Sequence, residues 1–262
     1  YLTGNLSNGG TMSGYTAYAS GNVSCSGTSS TGTTVFYMNG TGTLSSVSGT
    51  AWLSNPITFA TTVTVTISGT FPVSGNKTWT YTSGTMVTTG STLTISTSAT
   101  FNLNGCTMNN INQQYSGTIT LLSALQLNGT LSFNASSNPT FSGAYNITTA
   151  NLTFSGASTA TMGSSDISVS GTTTLAGTNT VTVNGSGRTI SGVHLTAGTS
   201  TLRGSANTTW TAGTVSGTAL TIDATGTTTF AGSITWNPTT FTRTAGTVTA
   251  TGSTLTMNGS RT

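Results

Sequence analysis

The stretch LTFSGASTATMGSSDISVSGTTTLAGTNTVTVNGSGRTISGVHLTAGTSTL, Leu152 to Leu202, decides how the chain folds. Apolar and hydroxyl residues alternate within it in runs too short for a helix: Leu152-Thr153-Phe154, Ile167-Ser168-Val169 and Val181-Thr182-Val183. A period of two turns one set of side chains inward and the other outward on a strand. Ser-Gly, Ala-Gly and Asn-Gly pairs between the runs supply the tight bends that end each strand. These marks recur about every 6 to 10 residues, which suits the hairpins of a sandwich or barrel and equally the corners of a solenoid.

Outward from this stretch the pattern continues. Val63-Thr64-Val65-Thr66-Ile67, Leu93-Thr94-Ile95, Phe101-Asn102-Leu103, Leu131-Ser132-Phe133, Leu220-Thr221-Ile222 and Leu255-Thr256-Met257 all alternate, and no segment carries an apolar helical face. Internal repetition favours the solenoid. YTSGTMVTTGSTLTIS (Tyr81 to Ser96) matches RTAGTVTATGSTLTMN (Arg243 to Asn258) at about half its positions, and WTAGTVSGTALTID (Trp210 to Asp223) is a shortened third copy. From about Leu93 onward, strand pairs near 7 residues apart make a turn of about 20 residues when taken in threes. Asn104, Asn128 and Asn184 fall at corners and suit inward amide ladders. The sequence thus predicts an all-β chain: a β-solenoid (parallel β-helix) over 60–262, preceded by an irregular N-terminal β segment or cap over 1–59, with the boundary between Thr50 and Thr61. A β-sandwich with antiparallel pairing is the alternative.

Composition narrows the function. Only 3% of the 262 residues are charged, against about 25% in an ordinary soluble domain, and 34% are hydrophobic. Thr is β-branched and fits a pleated surface, and Pro is limited to four residues, so this is an ordered β protein and not a disordered tract. The net charge of +3 rests on Lys77, Arg188, Arg203, Arg243 and Arg261, scattered singly, which argues against nucleic acid as a partner. No run of 18 apolar residues is present to span a membrane as a helix. The chain starts at Tyr1 with no leader, consistent with a mature secreted product or a fragment of something longer. Cys25 and Cys106 are the only cysteines; they either form one long-loop disulfide or stay as two buried thiols.

Leu152 to Leu202 resembles the Thr/Ser/Gly-rich repeats of large bacterial surface proteins of the filamentous-haemagglutinin and autotransporter-adhesin kind. The resemblance extends over about two thirds of the chain and carries no catalytic motif. It implies a right-handed parallel β-helix that acts in adhesion or as a surface fibre.

Candidate sites are sparse. Glycoside cleavage needs two carboxylates about 5 to 9.5 Å apart, but Asp166 and Asp223 are the only acids, and three turns of about 4.8 Å separate them by about 14 Å. A single His194, with no G-x-S-x-G, does not build a triad, and no metal or cofactor set is present. Trp79, Trp210 and Trp236, with Trp52, are candidates for a glycan-stacking platform or for packing. Thr-x-Thr triplets at Thr62 to Thr66, Thr172 to Thr174 and Thr247 to Thr251 suit a flat ice-facing surface, which needs one pair per turn in register, whereas their linear spacing is irregular. Sequons at Asn22, Asn128, Asn151 and Asn207 permit N-glycosylation in a competent host. A full-strength strand pattern, Thr254 to Gly259, stands near Thr262 with no polar cap after it, so another copy or more of the same chain is expected to stack there. The expected function is a non-enzymatic, secreted or cell-surface structural protein, self-associating into a fibre or filament as a homo-polymer. The alternative is a carbohydrate-binding adhesin or phage-like fibre module whose partners are surface glycans.

Overall fold

Alternating β-branched residues leave strand as the only regular structure among the described residues. The computed structural model describes residues 6–8, 16–25, 35–46, 56–73, 75–176, 180–211, 213–252 and 254–257. No helix long and apolar enough to cross a membrane occurs among them. By packing, the chain divides between Asn128 and Gly129 into two units, each a coil of parallel strands.

In the first unit, successive coils stack apolar residues in columns. Val23 pairs with Leu44 and Leu44 with Ile67; Ile57 pairs with Trp79, Trp79 with Phe101, and Phe101 with Leu121. The coils differ in length, from the short step that pairs Leu6 with Val23 to the longer one that pairs Gly42 with Val65. The strands Val23–Cys25, Val35–Met38 and Gly42–Ser46 belong to this same stack, through Phe36↔Ile57 and Leu44↔Ile67. Packing divides the chain at Asn128/Gly129, and the boundary expected between Thr50 and Thr61 lies partly outside the described residues. Trp52 lies outside the described residues.

The second unit has three sides per coil. On the first, Ile147 pairs with Ile167 and Ile167 with Ile190. On the second, Leu152 pairs with Thr173, Thr173 with Leu195, Leu195 with Val215, and Val215 with Trp236. The third runs Ser158, Val181, Leu202, Ile222. Every strand register among the described residues of either unit is parallel, which excludes the sandwich. Each coil is thin, so a few fully buried side chains per turn, worth about 1.5 to 3 kcal/mol apiece, hold it to its neighbours.

The internal repeat has a geometric cause. Gly84 and Gly246 occupy matching positions of the two long copies; both have positive φ (105° and 79°), and both sit where the register shifts, at Ser83–Thr85 and Ala245–Thr247. The motif is thus strand, glycine bulge, strand, glycine turn, strand. A Cβ at Gly246 would fall on the carbonyl oxygen of Ala224, so the coil below also demands glycine there.

Corners are joined by side-chain acceptors. Asn22 Oδ1 accepts the Thr43 N–H (2.8 Å), Asn151 Oδ1 that of Thr172 (3.1 Å), and Asn207 Oδ1 that of Thr227 (3.0 Å). Asn146 accepts from Asp166 N (3.0 Å), and the Asp166 carboxylate in turn accepts from Thr189 N (2.8 Å). Each satisfies a backbone donor about one coil further on, where a strand is entered. The expected inward ladder at Asn104, Asn128 and Asn184 does not form: Asn104 and Asn128 are exposed and Asn184 is half-buried. A fully buried amide is found instead at Gln113, which continues the column of Val73 and Ile95 and donates to the Thr97 and Tyr115 carbonyls.

Candidate functional site

The outward residues of the second unit form ladders of hydroxyls. On the first side, Thr189, Asn207, Thr227 and Thr247 stand in one column; Ser191, Thr209, Thr229 and Thr249 stand in the next. Between the columns Ile190, Thr208 and Thr228 point inward and are buried. Within the outward array Thr249 Oγ1 donates to Thr229 Oγ1 at 2.9 Å, and among the inward residues Thr208 Oγ1 donates to Thr228 Oγ1 at 3.1 Å. The step from Thr189 to Asn207 is shorter along the chain than the step from Thr227 to Thr247, which looks irregular in sequence, but the corners absorb the difference, and the Thr-x-Thr pairs Thr227/Thr229 and Thr247/Thr249 come into register with Asn207/Thr209 and Thr189/Ser191. Asp166 stands one coil below Thr189 and marks the lower edge; Arg188 turns aside to the Ser164 carbonyl at 3.0 Å.

The second side carries Thr153, Thr174, Thr196 and Ser216 in one column and Thr172, His194, Thr214 and Thr235 in another. His194 is exposed, and its Nδ1 accepts the Thr214 N–H at 3.1 Å, so the imidazole serves as another corner acceptor. On the third side the hydroxyl column Thr201, Thr221, Thr242 runs beside a charged one. There Arg203 and Asp223 are paired, Nε to Oδ2 at 2.8 Å and Nη2 to Oδ2 at 2.5 Å, while Thr244 Oγ1 donates to Asp223 Oδ1 at 2.9 Å. The Thr244 hydrogen bond first, and then Arg203, hold the Asp223 carboxyl below its ordinary value. A surface depression of about 430 Å³ opens over this pair. Asp166 and Asp223 thus stand on different sides of the coil, each occupied by its own partners, and no cluster of three His, Cys, Asp or Glu occurs among the described residues.

The tryptophans are core residues. Trp79 is 0% exposed and packs against Phe59 and Phe71, with ring centroids at 5.8 and 6.5 Å. Trp210, 2% exposed, lies over Gly192, where a Cβ would come within 3.1 Å of the indole. Trp236, 5% exposed, meets Phe230 and Phe241 edge-on at 5.5 and 5.0 Å. None offers a ring face to a sugar, so the glycan platform at these residues gives way to packing. Their parity was readable: Trp79 stands between outward Thr78 and Thr80, and Trp210 and Trp236 each follow an outward threonine.

Of the sequon asparagines singled out above, Asn22, Asn151 and Asn207 are the corner acceptors just described, and Asn128 is exposed. Sequence reading missed this role. The signal was an Asx immediately before the first inward residue of an alternating run, as in Asn22-Val23, Asn151-Leu152 and Asp166-Ile167. Cys106 is a free, buried thiol whose Sγ lies 3.2 Å from Met86 Sδ, and burial pushes its pKa up to about 11. Stacking explains why it has no bridge to Cys25. The register passes from Cys25 to Ser46, on through the neighbouring pairs Ser45↔Ser68 and Gly69↔Ser91, and then to Asn109 beside Asn110↔Thr92. Four rungs of about 4.8 Å put the two backbones about 19 Å apart, beyond the roughly 7 Å that a disulfide spans. The side chain of Cys25 lies outside the described residues.

No family model matches this chain, and no curated protein or solved structure matches it either.

Proposed function

We propose that this chain is a non-enzymatic extracellular structural protein, a self-associating subunit of a surface fibre or filament. The observation that carries the reading is a parallel coil whose second unit presents outward hydroxyl ladders, with Asp166, His194 and Asp223 engaged in internal contacts. Asp166, His194 and Asp223 each hold a backbone donor or an ion-pair partner, and this favours a mechanical surface over a catalytic one. Low charge also removes the repulsion that keeps ordinary proteins apart. The resemblance of Leu152 to Leu202 to bacterial surface repeats supports placement outside the cell.

Negative-stain electron microscopy of the purified protein at neutral pH tests this. Uniform filaments are expected, lengthening with protein concentration. Dispersed single particles at every concentration would overturn the self-association.

A further inference from the structure

The first side of the second unit holds two columns of outward side chains over four coils: six threonines, one serine and one asparagine. We infer that this face binds ice. The inference stands independently of the fibre reading, because it concerns a side of the coil and not its edge.

Spacing makes the argument. Alternate residues on a strand are about 6.6 Å apart and neighbouring strands about 4.8 Å, so the eight positions form a rectangular net. Water oxygens on the faces of ice crystals repeat over distances of the same order. Liquid water next to such a net is already arranged near the positions it takes on freezing. Rigidity follows from the residues: Thr is β-branched and stiff at χ1, and each stands on a strand paired to a neighbouring coil, with Thr249 Oγ1 further held to Thr229 Oγ1. A single hydroxyl–water contact contributes little, but once one position is engaged the others meet the lattice at high effective concentration, so the array acts as one multivalent site. Threonine further presents a methyl group beside each hydroxyl, which leaves apolar surface to be covered by the ordered layer.

Charge decides which side does this. An ion holds its own hydration shell and resists losing it. Arg203 and Asp223 interrupt the third side, and on the second the bulky imidazole of His194 breaks the hydroxyl column, whereas on the first side the nearest charges, Asp166 and Arg188, lie at the lower edge and corner.

Thermal hysteresis and ice-recrystallisation inhibition, measured on the 262-residue chain, test the inference. The folded protein is expected to shape ice crystals and suppress recrystallisation. Thr229→Tyr, at the centre of the net, should lose most of that activity, while Thr221→Tyr, an outward threonine on the third side, should retain it; circular dichroism and melting confirm that both fold. If Thr229→Tyr does not fold, Thr209→Lys tests the same net. Three results would overturn the inference: no effect of the folded wild-type protein on ice, equal losses in the Thr229 and Thr221 variants, or a Thr229 variant that keeps full ice activity and instead loses lateral association of filaments. The last would assign the face to a second copy.

Discussion

Replacing Asn151 by alanine removes the oxygen that accepts the Thr172 N–H at 3.1 Å. Water cannot readily take its place, because the chain is tightly packed there: a Cβ at Gly171 would lie 2.8 Å from the Ala150 carbonyl oxygen and 2.9 Å from Asn151 Oδ1. A buried N–H without a partner costs about 1 to 3 kcal/mol; Asn151 is half-buried, so about 1 to 2 kcal/mol is expected. Asn151→Asp keeps the oxygen in place and should change stability by no more than about 0.5 kcal/mol. In urea, with a slope of about 3 kcal/mol/M, a loss of about 1.5 kcal/mol moves the midpoint by about 0.5 M. Because each coil touches only its neighbours, native-state hydrogen exchange should show the loss first at Thr172 and the adjoining strands. Equal midpoints for the Ala and Asp variants would refute the idea that the corner oxygen is what joins these coils.

Burial raises the Cys106 thiol from 9.0 to about 11, so the folded state holds the proton more tightly; its stabilisation is complete below pH 9 and disappears as pH rises to 11. Relative to Cys106→Ala, the wild-type protein should lose about 2 to 3 kcal/mol across that window, measured by urea unfolding at pH 8 and 11. Asp223 has the opposite sign: its carboxyl is held low by Thr244 and Arg203, so its contribution is present above the ordinary value of 3.8 and lost as pH falls through the lowered one. Thr244→Ala should flatten that acid-side loss of stability, followed by melting temperature against pH. Gly217→Ala would drive a Cβ into the Ala197 carbonyl at φ +132°, whereas Gly187, at φ +71°, has nothing within 4 Å. Thermal unfolding should show about 1 to 2 kcal/mol lost at Gly187→Ala and clearly more at Gly217→Ala.

Much of the coil was legible because alternation is a local property. Val181-Thr182-Val183 turns its valines inward whatever surrounds it, and Gly84 and Gly246 announce the same bulge in two distant copies. The corner acceptors were legible only in hindsight. Asn151 before Leu152 reads as a sequon or a turn residue until a second coil supplies the N–H it accepts.

By itself, the sequence determined strand, parity and the approximate length of a coil, since these follow from the two-residue period and from where glycine and Asx interrupt it. It also determined the poverty of charge that directs attention to the surface. The tertiary structure decided which residues become neighbours. Coils of unequal length place their hydroxyls at no constant interval along the chain, and only stacking, in which corners take up the surplus residues, brings Thr189, Asn207, Thr227 and Thr247 into one column. The same stacking buried the tryptophans offered as sugar platforms and held Cys25 and Cys106 four rungs apart. Register is a property of contacts between coils, and a linear spacing that varies from turn to turn does not contain it.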